Sequence, residues 1–138
     1  MDSLALRLLK QHEGFRGKPY RDTVGKLTIG YGRNLDDRGI IEPEGVYLLD
    51  NDIAEVTVEL ERRLPLFRTI DSVRQAVLID MAVNMGVAGL LAFKKTIRFL
   101  ETGWYGAASD EMLHSKWAEQ VGDRAIHLAR LVRDGVEA

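Results

Sequence analysis

The sequence predicts an α+β fold that is mainly helical, with a small β-hairpin lobe near the N-terminus and a larger all-helical lobe. Three observations support this prediction. Residues 17–35 are rich in glycine and contain short β-favouring pieces, which excludes a helix there. After Pro43, apolar residues recur at the spacing of an amphipathic helix. Residues 76–83 are apolar nearly all round, as is typical of the buried central helix of a helical domain.

The N-terminal segment is predicted to be a helix followed by a hairpin. Leucines recur on one face of residues 2–13, and Gly14 directly after them is typical of a helix C-terminus. Glycines punctuate the next stretch, so we expect a strand, a turn near residues 23–26 and a second strand over residues 27–31. A loop should then lead to the next helix.

The rest of the chain is predicted to be helical. A long helix should begin near Pro43, a favourable residue for a first turn, and end at Pro65. Asp71 or Ser72 is expected to cap the next helix, which Gly86 should end. Further helices are predicted at residues 90–102, 105–114 and 123–134.

We expect these elements to form a single domain over residues 1–138. The β-hairpin lobe would occupy residues 14–42, and the connecting helix residues 43–63. The helical lobe would occupy residues 64–138, and residues 1–13 can pack on it. A cleft between lobes is where a binding site commonly forms.

Composition excludes several classes of function. The chain has 138 residues and is 46% hydrophobic, which is enough for one domain with a real core. It has no cysteine, which excludes disulfides, thiol nucleophiles and thiolate zinc sites. Its three histidines are too scattered for a recognisable metal motif, so we expect neither a metal nor a cofactor. A net charge of −2 argues against a general nucleic-acid or membrane binder.

Three candidate catalytic residues, Glu13, Asp22 and Thr28, lie on the helix–hairpin segment. If the fold brings them to one cleft, one carboxylic acid can protonate a leaving group. The other carboxylate and the hydroxyl can then hold a water molecule. On spacing alone, ordinary surface carboxylates are the simpler interpretation in a chain with 21 acidic residues. Both interpretations stay open at this point.

Three blocks of residues together resemble one known family. The first is Glu13-Gly14, Tyr20, Asp22-Thr23, Gly25 and Thr28-Ile29-Gly30-Tyr31-Gly32. The second is Asp71-Ser72-Val73-Arg74, Met81, Met85-Gly86, Gly89 and Phe93, and the third is Ser115-Lys116-Trp117, Gln120 and Arg124-Ala125. In this order, over almost the whole chain, they resemble the phage-type lysozymes, glycoside hydrolase family 24. The resemblance implies a lysozyme-like fold.

The resemblance also implies a reaction. It implies hydrolysis of the β-1,4 bond between N-acetylmuramic acid and N-acetylglucosamine in bacterial peptidoglycan, with inversion at the anomeric carbon. Glu13 would be the general acid, and Asp22 and Thr28 would position or activate water on the opposite face of the sugar. Arg124 would support Glu13 as its ion-pair partner. That cation would favour the ionised acid, whereas burial would favour the protonated one.

The same resemblance suggests substrate contacts. These candidates are Tyr31, Arg33, Asn34, Val83, Thr96 and Met112. Tyr31 can stack on a sugar, although packing within the hairpin is an equal alternative. Arg33 replaces a histidine that is common in the family. Val83 lies where an aromatic residue can occur and Met112 where an amide can occur, whereas Thr96 keeps a hydroxyl.

These expectations define a biological role. The partner would be bacterial peptidoglycan, with no nucleic acid and no stable membrane association, and the protein would be a monomer. Arg7 and Lys10 interrupt the first leucines, so no signal peptide is recognisable. We therefore expect an endolysin of a phage or prophage that accumulates in the host cytoplasm and depends on a holin to reach the wall. The alternatives are a non-catalytic wall-binding or structural module with the same fold and, less favoured, a small helical DNA-binding protein.

Overall fold

The computed structural model describes residues 3–137 and confirms a mainly helical α+β fold. Asp2 of the first predicted helix and both ends of the predicted 1–138 domain lie outside the described residues. The strands are β1 (Arg16–Arg21), β2 (Leu27–Gly30) and β3 (Arg33–Asn34). The helices are α1 (Leu4–Glu13), α2 (Glu42–Arg63), α3 (Ser72–Met85), α4 (Val87–Leu91), α5 (Lys94–Glu101), α6 (Tyr105–Leu113), α7 (Lys116–Val121) and α8 (Asp123–Asp134), with a 3₁₀ turn at Pro65–Arg68.

The chain divides into two compact units. The N-terminal unit ends at Leu48, and the C-terminal unit begins at Leu49. This boundary falls inside α2, so the helix predicted as a connection contributes its first turns to one unit and the remainder to the other.

Helix α1 of the N-terminal unit has defined caps at both ends. The Ser3 hydroxyl accepts a hydrogen bond from the backbone N–H of Leu6 at 3.0 Å. This contact satisfies one of the amide donors that a helix N-terminus leaves unpaired. At the other end, Gly14 adopts φ +70° and donates to the Lys10 carbonyl at 3.1 Å. The caps therefore fix Glu13 as the last residue of the helix.

The sheet of this unit has three antiparallel strands in the order β1-β2-β3. Tyr20 pairs with Thr28, which pairs in turn with Asn34. Ile29 pairs with Arg33. Directly paired residues point to the same face of a sheet, and successive residues point to opposite faces. Thr28 and Asn34 therefore share one face, and Arg33 lies on the other.

The C-terminal unit has a continuous apolar core. Its buried side chains come from the end of α2, the 3₁₀ turn and each of the helices α3–α8, with Leu100 as the contribution of α5. Val77, Leu78, Met81 and Ala82 of α3 are among them, which confirms that this helix is central. Asp71 caps α3 by accepting from the Arg74 N–H at 3.1 Å, and Gly86 ends it, both as predicted.

Three local expectations differ from the structure. The helix predicted over residues 90–102 is split into α4 and α5, because Phe93 leaves the helical conformation with φ −76° and ψ 60°. Helix α7 was not predicted; the Ser115 hydroxyl begins it by accepting from the Ala118 N–H at 3.1 Å. The loop expected after β2 contains the short strand β3.

Candidate functional site

Asp22 organises the turn between β1 and β2. Its Oδ1 accepts hydrogen bonds from the backbone N–H groups of Val24 at 2.9 Å and Lys26 at 2.8 Å. An aspartate in this arrangement acts as a turn-forming residue. Within residues 3–137, no protein group donates to Oδ2. One carboxylate oxygen is therefore anchored while the other can accept a hydrogen bond from a ligand or water.

Thr28 lies in β2, in the same hairpin as Asp22. Its side chain is only 3% exposed, and its hydroxyl donates to the Lys26 carbonyl at 2.9 Å. This bond fixes the direction of the hydroxyl hydrogen and leaves the oxygen lone pairs to accept. Lys26 is thus the common partner of Asp22 and Thr28, and it holds both side chains against the same turn.

Glu13 lies against the glycine turn that follows β2. A Cβ atom placed on Gly32 would be 2.7 Å from Oε2 of Glu13, closer than real Cβ atoms approach. Gly32 also has φ +79°, a conformation that side chains other than glycine rarely adopt. Among the described residues of the N-terminal unit, no group forms a hydrogen bond or ion pair with the Glu13 carboxyl. The Gly32 backbone is therefore its nearest constraint in this unit.

Tyr31 is packed at the same turn, and its side chain is 44% exposed. Its ring centre lies 5.4 Å from that of Phe15, and the Lys10 ammonium lies 5.7 Å from the ring centre. The aromatic contact accounts for part of the ring surface, and the rest can meet a sugar. Packing and stacking are therefore compatible roles for Tyr31.

Asn34 and Arg33 are adjacent in β3 but have different surroundings. The Asn34 side chain donates to Asp37 Oδ2 at 3.0 Å and accepts from the Asp37 N–H at 2.9 Å, which closes a local turn. Arg33 is on the opposite face of the sheet, where it forms a two-pronged ion pair with Glu44. Of the two, only Asn34 shares the face of Thr28.

Sequence reasoning did not identify Glu44, although it carries the largest pKa shift in the described residues. Hydrogen bonds from Arg33 and from the Ile41 backbone N–H lower its pKa to about 2. The same hydrogen bond to Glu44 raises the pKa of Arg33. Glu44 lies three residues after Ile41, which directly precedes α2, and it accepts the Ile41 N–H as the glutamate of a capping box does. That signal would have marked Glu44, but not its pairing with Arg33.

Val83 and Arg124 line one cavity of the C-terminal unit, with a volume of about 460 Å³. Apolar side chains from α2 and α3 form most of its wall. At its edge, Arg124 Nε donates to Asp80 Oδ1 at 2.9 Å, which joins α8 to α3. Asp80 is the partner that this unit supplies for Arg124, and the pairing of Arg124 with Glu13 stays a prediction.

Thr96 lines a second cavity of the C-terminal unit, of about 390 Å³, together with Lys94, Lys95, Glu111 and His114. Its polar lining is compatible with a ligand that carries charged groups. Met112, by contrast, is 1% exposed and belongs to the core. Its neighbour Glu111 lines the cavity instead, so we do not carry Met112 forward as a substrate contact.

Residues 3–137 contain neither a cluster of metal-binding side chains nor a membrane-spanning helix. The structure places no three His, Asp or Glu side chains together in a group that could hold a metal ion. No helix in this range is long and apolar enough to cross a membrane.

Comparison with known proteins gives consistent matches. The family model described as Phage lysozyme matches residues 10–133. The "Probable T4-type lysozyme 1" of Dictyostelium discoideum is 26% identical over 157 residues, covering 93% of this chain and 92% of that protein. The "Endolysin" of Acyrthosiphon pisum secondary endosymbiont phage 1 is 30% identical over 117 residues, covering 83% of this chain and 77% of that protein. The "Pre-baseplate central spike protein Gp5" of Enterobacteria phage T4 is 24% identical over 156 residues, covering 93% of this chain and 27% of that protein.

The matched range includes Glu13, Asp22 and Thr28 together with both units of the structure. It spans most of the chain, and the similarity to the Dictyostelium and endolysin proteins extends over most of their own lengths. This chain belongs to the phage lysozyme family.

Proposed function

We propose that this protein is a muramidase that hydrolyses the β-1,4 bond between N-acetylmuramic acid and N-acetylglucosamine in bacterial peptidoglycan. Glu13 is the general acid, and Asp22 with Thr28 holds the attacking water. Family membership supports the reaction class, and the geometry of the N-terminal unit supports the assignment of roles.

The main support for the proposal is that the carboxyl groups of Glu13 and Asp22 have different surroundings. Within the described residues of the N-terminal unit, no group forms a hydrogen bond with the Glu13 carboxyl, so this unit leaves it available to a substrate oxygen. Asp22 has one oxygen fixed by two backbone N–H groups, which leaves the other available at a defined position. Two carboxyl groups with different surroundings are what an acid and a base in one reaction require.

The reaction follows from these positions. Protonated Glu13 donates its hydrogen to the glycosidic oxygen as the bond to the anomeric carbon breaks. The attacking water hydrogen-bonds to Asp22 and to the lone pairs of Thr28, and it transfers one proton to the Asp22 carboxylate as it attacks. Its oxygen then adds to the anomeric carbon from the opposite face, which inverts the configuration. Inverting enzymes hold their two carboxyl groups roughly 6.5–9.5 Å apart to leave room for this water.

The biological role that we propose is that of an endolysin. A relative that bears this name supports it. The protein would reach the wall after a holin has permeabilised the inner membrane, and it would act there as a monomer. Tyr31, Asn34, Val83 and Thr96 are proposed to contact the glycan strand or its attached groups. Arg124 is proposed to modulate Glu13.

Product analysis tests the reaction. Purified protein should be incubated with Gram-negative peptidoglycan in water enriched in ¹⁸O, and the products identified by mass spectrometry. Hydrolysis predicts muramic-acid reducing ends that carry ¹⁸O, and NMR should first detect the α-anomer if the configuration inverts. Products with anhydro-muramic acid would identify a lytic transglycosylase. Binding to the wall without any cleavage would identify the non-catalytic alternative.

A further inference from the structure

The ion pair between Arg33 and Glu44 joins three segments of the N-terminal unit. Arg33 Nη1 donates to Glu44 Oε1 at 2.7 Å, and Nη2 donates to Oε2. Nη1 also donates to the Gly39 carbonyl at 3.1 Å. Glu44 Oε1 accepts from the Ile41 N–H at 2.9 Å. One guanidinium therefore links β3, the loop at Gly39 and the first turn of α2.

This arrangement uses most of the donors of Arg33. An arginine has five N–H donors in a fixed fork, and a two-pronged carboxylate contact is its most specific geometry. The contacts to Glu44 and Gly39 occupy both terminal nitrogens. Arg33 also lies on the sheet face opposite to Thr28 and Asn34. Both facts disfavour the direct substrate contact that the sequence suggested for Arg33.

Gly32, the residue directly before Arg33, is the one that approaches Glu13. Its backbone leaves no space for a Cβ atom beside the Glu13 carboxyl, since that atom would lie 2.7 Å from Oε2. Within residues 3–48, no hydrogen bond to the Glu13 side chain could fix it instead. The position of the Gly32 backbone therefore limits which rotamers the carboxyl can adopt.

We propose that the Arg33–Glu44 pair is a positioning device for the general acid, which acts by holding the Gly32 turn against the carboxyl of Glu13. The inference rests on the proposed role of Glu13. Arg33 and Glu44 are positioning residues, because neither touches the reacting atoms in this scheme. The ion pair holds the backbone of β3 in place. That backbone fixes the position of Gly32, and Gly32 in turn limits where the Glu13 carboxyl can lie.

Steady-state kinetics on a soluble peptidoglycan fragment tests the catalytic consequence. Glu44→Gln and Arg33→Gln should each lower kcat about tenfold, less than the hundredfold that a displacement of about 1 Å can cause. KM should change less than kcat does, since neither Arg33 nor Glu44 contacts the substrate in this scheme. The double variant should be no slower than the slower single variant, because the two residues act as one unit. Glu59→Gln, which breaks the Arg63–Glu59 pair on the same helix, is the matched control and should leave kcat unchanged.

NMR tests the same inference without using activity. In the wild-type protein, the Gly32 amide signal should shift as Glu13 ionises, and Glu13→Gln should abolish that shift. In Glu44→Gln the shift should lose most of its amplitude, whereas in Glu59→Gln it should keep it. Should Glu44→Gln fail to fold, Arg33→Lys serves instead, because it keeps the charge but not the two-pronged contact.

The outcomes separate this inference from the proposed function. A wild-type protein that cleaves no peptidoglycan overturns the proposed function, and the Gly32 signal alone then decides whether the pair positions Glu13. An unchanged Gly32 shift in Glu44→Gln overturns the positioning inference even in an active enzyme. A raised KM with normal kcat in the Arg33 variants also overturns it, since that result identifies Arg33 as a substrate contact.

Discussion

In the C-terminal unit, the guanidinium carbon of Arg74 lies 3.4 Å from the centre of the Tyr105 ring. The same guanidinium donates to the Val132 carbonyl at 2.6 Å and to Asp71 at 2.8 Å. Arg74 is only 9% exposed, so these contacts are shielded from water. A single buried cation thereby joins α3, α6 and the C-terminal turn of α8.

Replacing this cation should be among the most destabilising changes available in the C-terminal unit. Arg74→Met keeps much of the side-chain volume but removes the donors to one oxygen of Asp71 and to the backbone carbonyls of Val132 and Arg133. We expect a loss of about 3 kcal/mol in the free energy of unfolding. Urea denaturation followed by circular dichroism measures this. The exposed Arg68, whose ion pair with Glu61 spans 3.9 Å, offers the control, and Arg68→Met should cost less than about 0.5 kcal/mol.

Acid should weaken the Arg33–Glu44 contact within a defined pH range. The hydrogen bond that Glu44 accepts from Arg33 lowers the pKa of Glu44 from its ordinary value of 4.5 to about 2. A carboxylate with a lowered pKa in the folded state stabilises the fold fully above the unfolded pKa, and this contribution is lost as the pH falls through the folded pKa. The difference in Tm between the wild type and Glu44→Gln should therefore be constant above about pH 5 and shrink between about pH 4.5 and pH 2. A difference in Tm that stays the same at about pH 2 would contradict the assignment of this pKa.

Removing the proton donor should abolish the proposed reaction while leaving the fold intact. Without Glu13 the leaving sugar must depart as an alkoxide, and general acid catalysis is typically worth about 10²–10⁴-fold in rate. Glu13→Gln should lower kcat by that factor, measured as reducing ends released from peptidoglycan. Glu55→Gln, a carboxylate substitution on α2, is the control and should retain full activity. If Glu13→Gln keeps more than roughly a tenth of the wild-type rate, another residue is the acid.

The approach of Gly32 to Glu13 can be tested with two glycines of nearly equal conformation. Gly32 has φ +79° and Gly103 has φ +77°, but only Gly32 has atoms within 4 Å of a Cβ position. Alanine at either site should cost about 1–2 kcal/mol from the positive φ alone. Gly32→Ala should in addition displace the Glu13 carboxyl and lower kcat, whereas Gly103→Ala should not. Equal kcat values in the two variants would show that the Gly32 contact has no catalytic effect.

Substitutions of Asp22 should separate its two roles. Asn keeps an Oδ1 acceptor for the N–H groups of Val24 and Lys26, whereas Ala removes it. Asp22→Asn should therefore unfold within about 0.5 kcal/mol of the wild type, and Asp22→Ala should lose about 1–2 kcal/mol. Both variants should lose activity, because neither can accept a proton from water. An active Asp22→Asn enzyme would remove Asp22 from the role of base.

The helices could be predicted from the sequence to the extent that local signals define their ends. Asp71 and Gly86 bound α3 as expected, because a side-chain cap and a positive-φ glycine act within one turn. No glycine or proline lies at the break between α4 and α5 at Phe93, so no local sequence signal predicted this break. Helix α7 was missed because a six-residue helix offers too little periodicity to detect.

The candidate site, like the helices, could be predicted from the sequence only in part. The hairpin that carries Asp22 and Thr28 was predictable from its glycines, whereas the partner of Arg33 lies eleven positions away in sequence across a loop. On a helix, one residue corresponds to a rotation of about 100°. Met112, which the resemblance indicated, is therefore buried in the core, whereas its neighbour Glu111 lines the cavity. The face of a helix on which a residue lies, and the distant residue with which it pairs, become known only from the three-dimensional structure.

The anchored Asp22 has an evolutionary consequence. Because Oδ1 builds the turn and the proposed chemistry uses Oδ2, replacing Oδ2 by an NH₂ group would abolish the proposed hydrolysis and keep the hydrogen bonds of the turn. A single nucleotide change would therefore separate a hydrolase from a non-catalytic wall-binding protein with the same fold, since aspartate and asparagine codons differ at one base. In environmental sequences of this family, an asparagine in place of Asp22 would identify proteins that no longer cleave the wall but are still selected for folding.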